Sequence, residues 1–95
     1  MNDILEYTEK TLEVKKRLDN YKKGISNGMV IGGKRIIDGV NFIESILLEI
    51  NPELVDSSLI DEIDLRIYNS IKKQGITIDK YAKYGIDMAK YIIFL

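Results

Sequence analysis

Residues 34–50 read KRIIDGVNFIESILLEI, and this stretch decides the fold because it predicts a long helix. Its apolar residues recur at spacings of three and four, which is the period of one face of an α-helix. A helix that is apolar over much of its circumference is expected at the centre of a fold or partly buried in an oligomer. The main stripe is Ile36, Val40, Ile43, Leu47 and Ile50, and the apolar residues outside it are Ile37, Phe42, Ile46 and Leu48.

The same spacing on either side of this stretch predicts three further helices. The four helices are expected over about residues 3–23, 27–50, 58–74 and 78–95. Short turns join them, so helices adjacent in the sequence should pack antiparallel. No shift in composition divides the chain, and residues 1–95 are expected to form a single domain. The predicted fold class is all-α, a compact antiparallel bundle of about four helices, and the apolar surplus indicates an oligomer.

Two glycines are expected to end helices. Gly24 and Gly75 each follow a last turn that contains a lysine pair, and each precedes an isoleucine. Glycine readily takes the left-handed conformation that closes a helix, and basic residues suit the negative end of the helix dipole. Replacing either glycine with alanine is then expected to cost about 1 kcal/mol.

The segment between the first two helices can be interpreted in two ways. Gly24, Gly28 and Gly32 are spaced by four, so on a helix they would form a bare stripe that lets another backbone approach. This spacing favours an early start of the second helix, near residue 27. The alternative is a turn at Asn27-Gly28 followed by a short extended piece over residues 29–31.

The composition excludes several kinds of site. The chain has no cysteine and no histidine, so it has no disulfide, no thiolate, and neither the commonest general base nor the commonest metal ligand. We therefore expect no enzymatic activity, no cofactor and no metal site.

Charge and hydropathy limit which partners and which cellular compartment we expect. The net charge of −1 is atypical of a nucleic-acid-binding protein, which usually carries a basic excess. Acidic residues near the first methionine argue against a signal peptide, and the apolar runs are too short to span a bilayer. The expected protein is cytoplasmic and has no membrane partner. Its seventeen isoleucines are typical of AT-rich genomes, which many low-GC bacteria and their phages have.

Residues 28–35, GMVIGGKR, have the spacing of a phosphate-binding loop, except that Arg35 stands where Ser or Thr would bind magnesium. Backbone N–H groups at glycines and at the start of a helix can bind an anion. No hydrophobic strand precedes the segment, which argues against nucleotide hydrolysis. The alternative is that these glycines serve helix packing or a turn. The candidate ligand-binding residues are Gly28, Gly32, Gly33, Lys34 and Arg35.

The last predicted helix has two faces. One carries small and aliphatic residues that permit close helix approach: Ile78, Ala82, Gly85, Ala89 and Ile92. The other is rich in tyrosine and methionine, which are enriched at interfaces. We expect the small face to serve the core and the tyrosine face to serve an interface. The alternative is that the tyrosines line the edge of the core with their hydroxyls in water. The candidate interface residues are Tyr81, Tyr84, Met88, Tyr91 and Leu95.

These features favour a non-enzymatic helical protein that self-associates and binds a protein partner, as an inhibitor or adaptor of a bacterium or phage. The second hypothesis is a binder of a nucleotide-like anion at Gly28–Arg35 that sequesters its ligand without turnover. The third is DNA binding, since residues 76–87 resemble a helix-turn-helix. The helix that would read the bases, residues 88–95, is mostly apolar and has few groups suited to that role.

Overall fold

The computed structural model describes residues 6–95, which form four α-helices and, within that range, no strand. The all-helical fold is as predicted, and the helices pack compactly. Their bounds are α1 Glu9–Asn27, α2 Gly33–Ile50, α3 Ser57–Gln74 and α4 Lys80–Ile93.

Helix α1 begins at Glu9 because Thr8 caps it. The Thr8 side chain accepts a hydrogen bond from the backbone N–H of Thr11, which has no partner within the helix. The predicted start near residue 3 is therefore wrong for residues 6–8, which precede the helix, and residues 3–5 lie outside the described range.

Helix α1 ends later than predicted. It continues through Gly24 to Asn27, so Gly24 lies inside the helix and is not a left-handed cap. The extension places Ile25, which is half buried, on the α1 face that packs against Gly33. The apolar contact of Ile25 outweighs the local preference of a glycine after two lysines for ending a helix.

Helix α2 begins at Gly33, and the early start near residue 27 was wrong. The chain reverses direction over residues 28–32, where Met29 (φ 50°) and Gly32 (φ 73°) both take left-handed conformations. Left-handed residues interrupt a helix, and here they let α2 return along α1. The alternative of a turn at Asn27-Gly28 is closer to the structure, although residues 29–31 are not a strand.

The position of Gly24 reverses the effect expected of its replacement. An added Cβ there has no atom within 4 Å outside the helix itself. Alanine stabilises a helix interior by about 0.5–1 kcal/mol relative to glycine. We therefore expect Gly24→Ala to raise the midpoint of urea denaturation. A lower midpoint would show that α1 ends near Gly24 after all.

Aspartate side chains begin the last two helices. Asp56 accepts hydrogen bonds from the backbone N–H groups of Ser58 and Leu59, so α3 begins at Ser57, one residue before the predicted start. Asp79 accepts from Tyr81 and Ala82. The prediction of residues 78–95 for the last helix was two residues too long at each end, because this cap starts α4 at Lys80 and the helix stops at Ile93.

Gly75 ends α3 in the left-handed conformation, with φ 61°, as its sequence context predicted. Unlike Gly24, it is followed by residues 76–79, which leave the helix and lead to α4.

Helix α2 lies at the centre of the fold and contacts the other three helices. Its closest neighbour is α4, because two glycines face each other's helix at the crossing. An added Cβ on Gly39 would collide with the carbonyl oxygen of Ala82, and one on Gly85 would collide with that of Ile36. The two backbones are therefore in direct contact.

This central position explains the apolar surplus of α2. Ile46 is buried, and Ile37, Phe42 and Leu48 are half buried within one chain. Of the two alternatives stated for this helix, burial at the centre of the fold accounts for the surplus without a second copy.

Helix α3 packs mainly through its first half, where Leu59 and Ile63 are buried. Its second half is less covered, and Ile67 and Ile71 stay half buried. No helix within residues 6–95 is both long enough and apolar enough to cross a lipid bilayer.

Candidate functional site

An open apolar groove lies between the end of α1, the turn at residues 28–32 and the start of α4. We call it the tyrosine groove, and its volume is about 520 Å³. Its lining residues are Tyr21, Ile25, Val30, Ile36, Lys80, Tyr81 and Tyr84.

The left-handed turn at Gly32 shapes this groove. The Tyr81 ring lies against the bare Cα of Gly32, so closely that an added Cβ would come within 2.6 Å of the ring carbon Cε1. Lys80 lies next to the ring, with its Nζ atom 5.2 Å from the centroid, in a cation–π arrangement. Gly32 therefore serves both the turn and the packing of an aromatic side chain.

Two further tyrosines, Tyr21 of α1 and Tyr84 of α4, form another wall of the groove. Burial raises the pKa of the Tyr21 hydroxyl, and the neighbouring hydroxyl of Tyr84 adds to this increase. The Tyr21 hydroxyl therefore stays neutral at physiological pH. The wall offers aromatic surface and a polar hydroxyl without charge, which is the kind of side chain enriched at protein interfaces.

Arg35, one of the two basic residues of the predicted anion site, is already paired with carboxylates of the chain. Arg35 is engaged by two carboxylates: its Nε donates to Asp79 at 2.7 Å and its Nη1 to Asp38 at 2.8 Å. The N–H of Ala82, together with Arg35, holds the pKa of Asp79 below its ordinary value, so this ion pair persists at neutral pH. The charge of Arg35 is thus already compensated within the chain.

The other predicted ligand residues form the turn and the start of α2. Gly28 and Gly32 belong to the turn, Gly33 is the first residue of α2, and Lys34 is exposed beside it. Gly32 caps α2 with no side-chain hydrogen bond. The segment is therefore a helix connection whose second glycine holds Tyr81, and anion binding there stays a prediction.

The two faces of α4 separate as expected from the sequence. Ala82, Gly85, Ala89 and Ile92 are buried, and Ile78, which precedes the helix, is half buried. We call the side that carries Tyr81, Tyr84, Met88, Tyr91 and, just after the helix, Leu95 the outer face of α4.

The outer face is divided between two environments. Tyr81 and Tyr84 line the tyrosine groove. Met88 is half buried, whereas Tyr91 is 64% exposed and Leu95 is 71% exposed. The structure therefore brings the predicted Gly-rich segment and the first two interface tyrosines together, and leaves Tyr91 and Leu95 at the other end of α4.

Several residues of this surface were missed by sequence reasoning. Tyr21 and Ile25 were not among the candidate site residues, and Val30 was expected in an early second helix or in a short extended piece. Met29 and Ile31, which flank Val30, are 89% and 82% exposed. One signal in the sequence could have indicated their exposure: residues 29–31 are three consecutive apolar residues between glycines, and a turn of this kind offers little surface to bury them.

Most of the charged side chains that form no ion pair within residues 6–95 lie near one of the two ends of the bundle. The basic end, where α1 and α3 finish and α2 and α4 begin, carries Lys23, Lys34, Lys72, Lys73 and Lys80. The acidic end, where α1 and α3 begin, carries Glu6, Glu9, Glu53, Asp56 and Asp61. Within residues 6–95 none of these ten side chains forms an ion pair, whereas most other charged residues do.

Within residues 6–95 no group of three or more acidic side chains is placed to hold a metal ion. Comparisons with family models, with curated proteins and with solved structures give no match to this chain. The function proposed below therefore rests on the geometry of the described residues.

Proposed function

We propose that this chain is a non-enzymatic binding protein that associates with itself through the outer face of α4 and binds a protein partner, as an inhibitor or adaptor. The observation that carries the proposal is the exposure of Tyr84, Tyr91 and Leu95 on that face, beside the half-buried Tyr81 and Met88. They follow spacings of three and four from Tyr81 to Leu95, the pattern of a seam between two paired helices.

The core of the chain does not need this face. The other side of α4 already fills the interior, through Ala82, Gly85 and Ala89. Soluble monomers seldom keep large contiguous apolar patches exposed. Leu12 and Phe94, which are also exposed, add to the apolar surface of the chain.

Only one of the two apolar surfaces that led the sequence to predict self-association still supports it. The apolar surplus of α2 is buried or half buried within one chain, so it no longer argues for a second copy. The outer face of α4 still favours one.

A protein partner is proposed for the tyrosine groove and the adjoining turn. A concave apolar site that also presents aromatic side chains is a common docking site for an apolar side chain of a partner. Met29 and Ile31 project from the turn beside the groove and extend the available surface.

The test is a pair of tyrosine substitutions on different helices. Tyr91→Glu places a charge in the outer face of α4, and we expect it to raise the dimer dissociation constant on the order of 1,000-fold, since an interface residue of this kind contributes about 2 kcal/mol per copy. Tyr68→Glu is the matched control, because Tyr68 is similarly exposed, at 58%, but lies on α3.

Sedimentation equilibrium of both variants is the measurement. The proposal expects the Tyr68→Glu variant to associate as the unmodified chain does and the Tyr91→Glu variant to be monomeric at 10.9 kDa. Equal association of the two variants would exclude the outer face of α4 as the interface.

A further inference from the structure

We infer that the tyrosine groove binds a proline-rich segment of the partner, held as a left-handed polyproline II helix with an acidic residue beside Lys80. This inference rests on the protein partner proposed for the groove and names the chemistry that the partner must present. The observations behind it are the three tyrosines that line the groove, the hydrogen-bond donors that they leave free, and the single charge of the lining.

The groove contains hydroxyl donors that the chain does not use up. Within residues 6–95 the hydroxyls of Tyr21, Tyr81 and Tyr84 donate no hydrogen bond to a backbone carbonyl or a carboxylate. After burial, the nearby hydroxyl of Tyr84 is the second cause of the raised pKa of Tyr21, so these two hydroxyls are neighbours. A hydrogen bond between them uses only one of their two O–H donors. The other stays available to a ligand.

Free donors in an apolar groove favour an occupant whose backbone carbonyls are also free. Along an α-helix the carbonyls already accept hydrogen bonds from within the helix. An extended strand needs a sheet edge beside it, and residues 6–95 contain no strand. A polyproline II helix has no internal hydrogen bonds, so its carbonyls can accept from the tyrosines.

The tyrosine rings supply the apolar contact that prolines need. Proline-rich segments dock in grooves that are lined by aromatic side chains. The Tyr81 ring is held by its packing against Gly32, and Ile25 and Val30 add aliphatic surface to the lining. The aromatic surface is therefore formed before any partner binds.

The short length of the groove favours an occupant that is already ordered. The lining spans about one turn of α1, from Tyr21 to Ile25, and about one turn of α4, from Lys80 to Tyr84. One α-helical turn rises ~5.4 Å and one polyproline II turn ~9 Å, so about one turn of the occupant is covered. An α-helix that short is unstable alone, whereas a proline-rich chain takes the polyproline II conformation before it binds.

Lys80 determines which charge the occupant can carry. It is the one charged residue that lines the groove, and within residues 6–95 it forms no ion pair. Because its ammonium group already lies 5.2 Å from the centroid of the Tyr81 ring, a cationic ligand would be repelled from that aromatic side chain. An acidic residue next to the prolines would be attracted.

Isothermal titration calorimetry with a defined peptide tests the inference. The probe has two aspartates followed by six prolines, with both ends blocked. One control peptide has alanines in place of the prolines, and the other has lysines in place of the aspartates. We expect the probe to bind the unmodified chain, the alanine peptide to bind about 10-fold more weakly, and the lysine peptide to bind several-fold more weakly.

Conservative substitutions assign the binding to the groove. Tyr21→Phe with Tyr84→Phe keeps both rings and removes both hydroxyls, so the affinity should fall about 5-fold, the effect of one hydrogen bond. Lys80→Gln should remove the preference for aspartates over lysines. The matched controls lie on α3, where Lys72 is placed over the Tyr68 ring at 5.6 Å. Tyr68→Phe and Lys72→Gln should leave binding unchanged, and circular dichroism checks that each variant is folded.

The outcomes separate this inference from the proposed self-association, which sedimentation measures independently. No binding of the probe, equal binding of the alanine peptide, or tighter binding of an amphipathic helical peptide or a thymidine hexanucleotide would each overturn the inference. Binding by the Tyr91→Glu variant but not by the unmodified chain would also overturn it, because a second copy would then be the occupant of the groove. A monomeric chain that binds the probe as expected would leave this inference intact and overturn the self-association.

Discussion

Replacing Gly85 with alanine is expected to lower the free energy of unfolding by about 3 kcal/mol, the upper part of the range for overpacking a core. The added Cβ would collide with the carbonyl oxygen of Ile36 and lie 2.9 Å from its carbonyl carbon. These are backbone atoms of the central helix, so no side-chain rotation can relieve the contact. Gly39→Ala should act similarly, since its Cβ would meet the backbone of Ala82 and Ile86.

Thermal and urea denaturation, followed by far-UV circular dichroism, measure this loss. A change of ~3 kcal/mol corresponds to a fall in Tm of about 12–24 °C for a domain of this size. Gly24→Ala is the matched control, because it makes the same chemical change in a helix interior with no neighbour in reach. If Gly85→Ala and Gly24→Ala shifted the Tm alike, the close crossing of α2 and α4 would be wrong.

The second large effect is expected at Gly32. Alanine there must take a left-handed conformation and also displace the Tyr81 ring. Gly75 has nearly the same φ and no atom within 4 Å of an added Cβ, so Gly75→Ala isolates the backbone cost, about 1 kcal/mol. We expect Gly32→Ala to cost about 2–3 kcal/mol, the excess being the displacement of Tyr81.

Urea denaturation gives both free energies, and near-UV circular dichroism reports the environment of the tyrosines. The Gly32→Ala variant should change the near-UV spectrum and the Gly75→Ala variant should not. Equal costs for the two substitutions would mean that Tyr81 does not lie against Gly32 and that this contact does not shape the tyrosine groove.

The helices could be predicted because their apolar spacing is a property of neighbouring residues. The stripe of residues 36–50 identified α2, and the division of α4 into a small face and a tyrosine face was visible before any contact was known. Gly75 was recognised for the same reason, since helix capping depends on a few adjacent residues.

The boundary between α1 and α2 could not be predicted in this way. Gly24 and Gly75 have the same local context, yet only Gly75 ends a helix. The difference is a tertiary contact, the packing of Ile25 against Gly33 across the turn. The start of α2 likewise depends on Met29, a non-glycine residue whose positive φ no sequence rule indicated.

In the candidate site, too, local patterns could be predicted and tertiary contacts could not. The sequence identified Tyr81 and Tyr84, but not that they would share a groove with Tyr21 and the turn after α1. It also placed Arg35 in an anion site, whereas its partner Asp79 lies 44 residues away in the sequence. Contacts at that separation are set by the packing of α2 against α4 and leave no local pattern.

Self-association through the outer face of α4 is the central claim, and sedimentation equilibrium of the unmodified chain tests it most directly. One chain has a mass of 10.9 kDa, so twice that value, about 22 kDa, is expected at tens of micromolar. A mass of 10.9 kDa at all concentrations up to that range would contradict the claim.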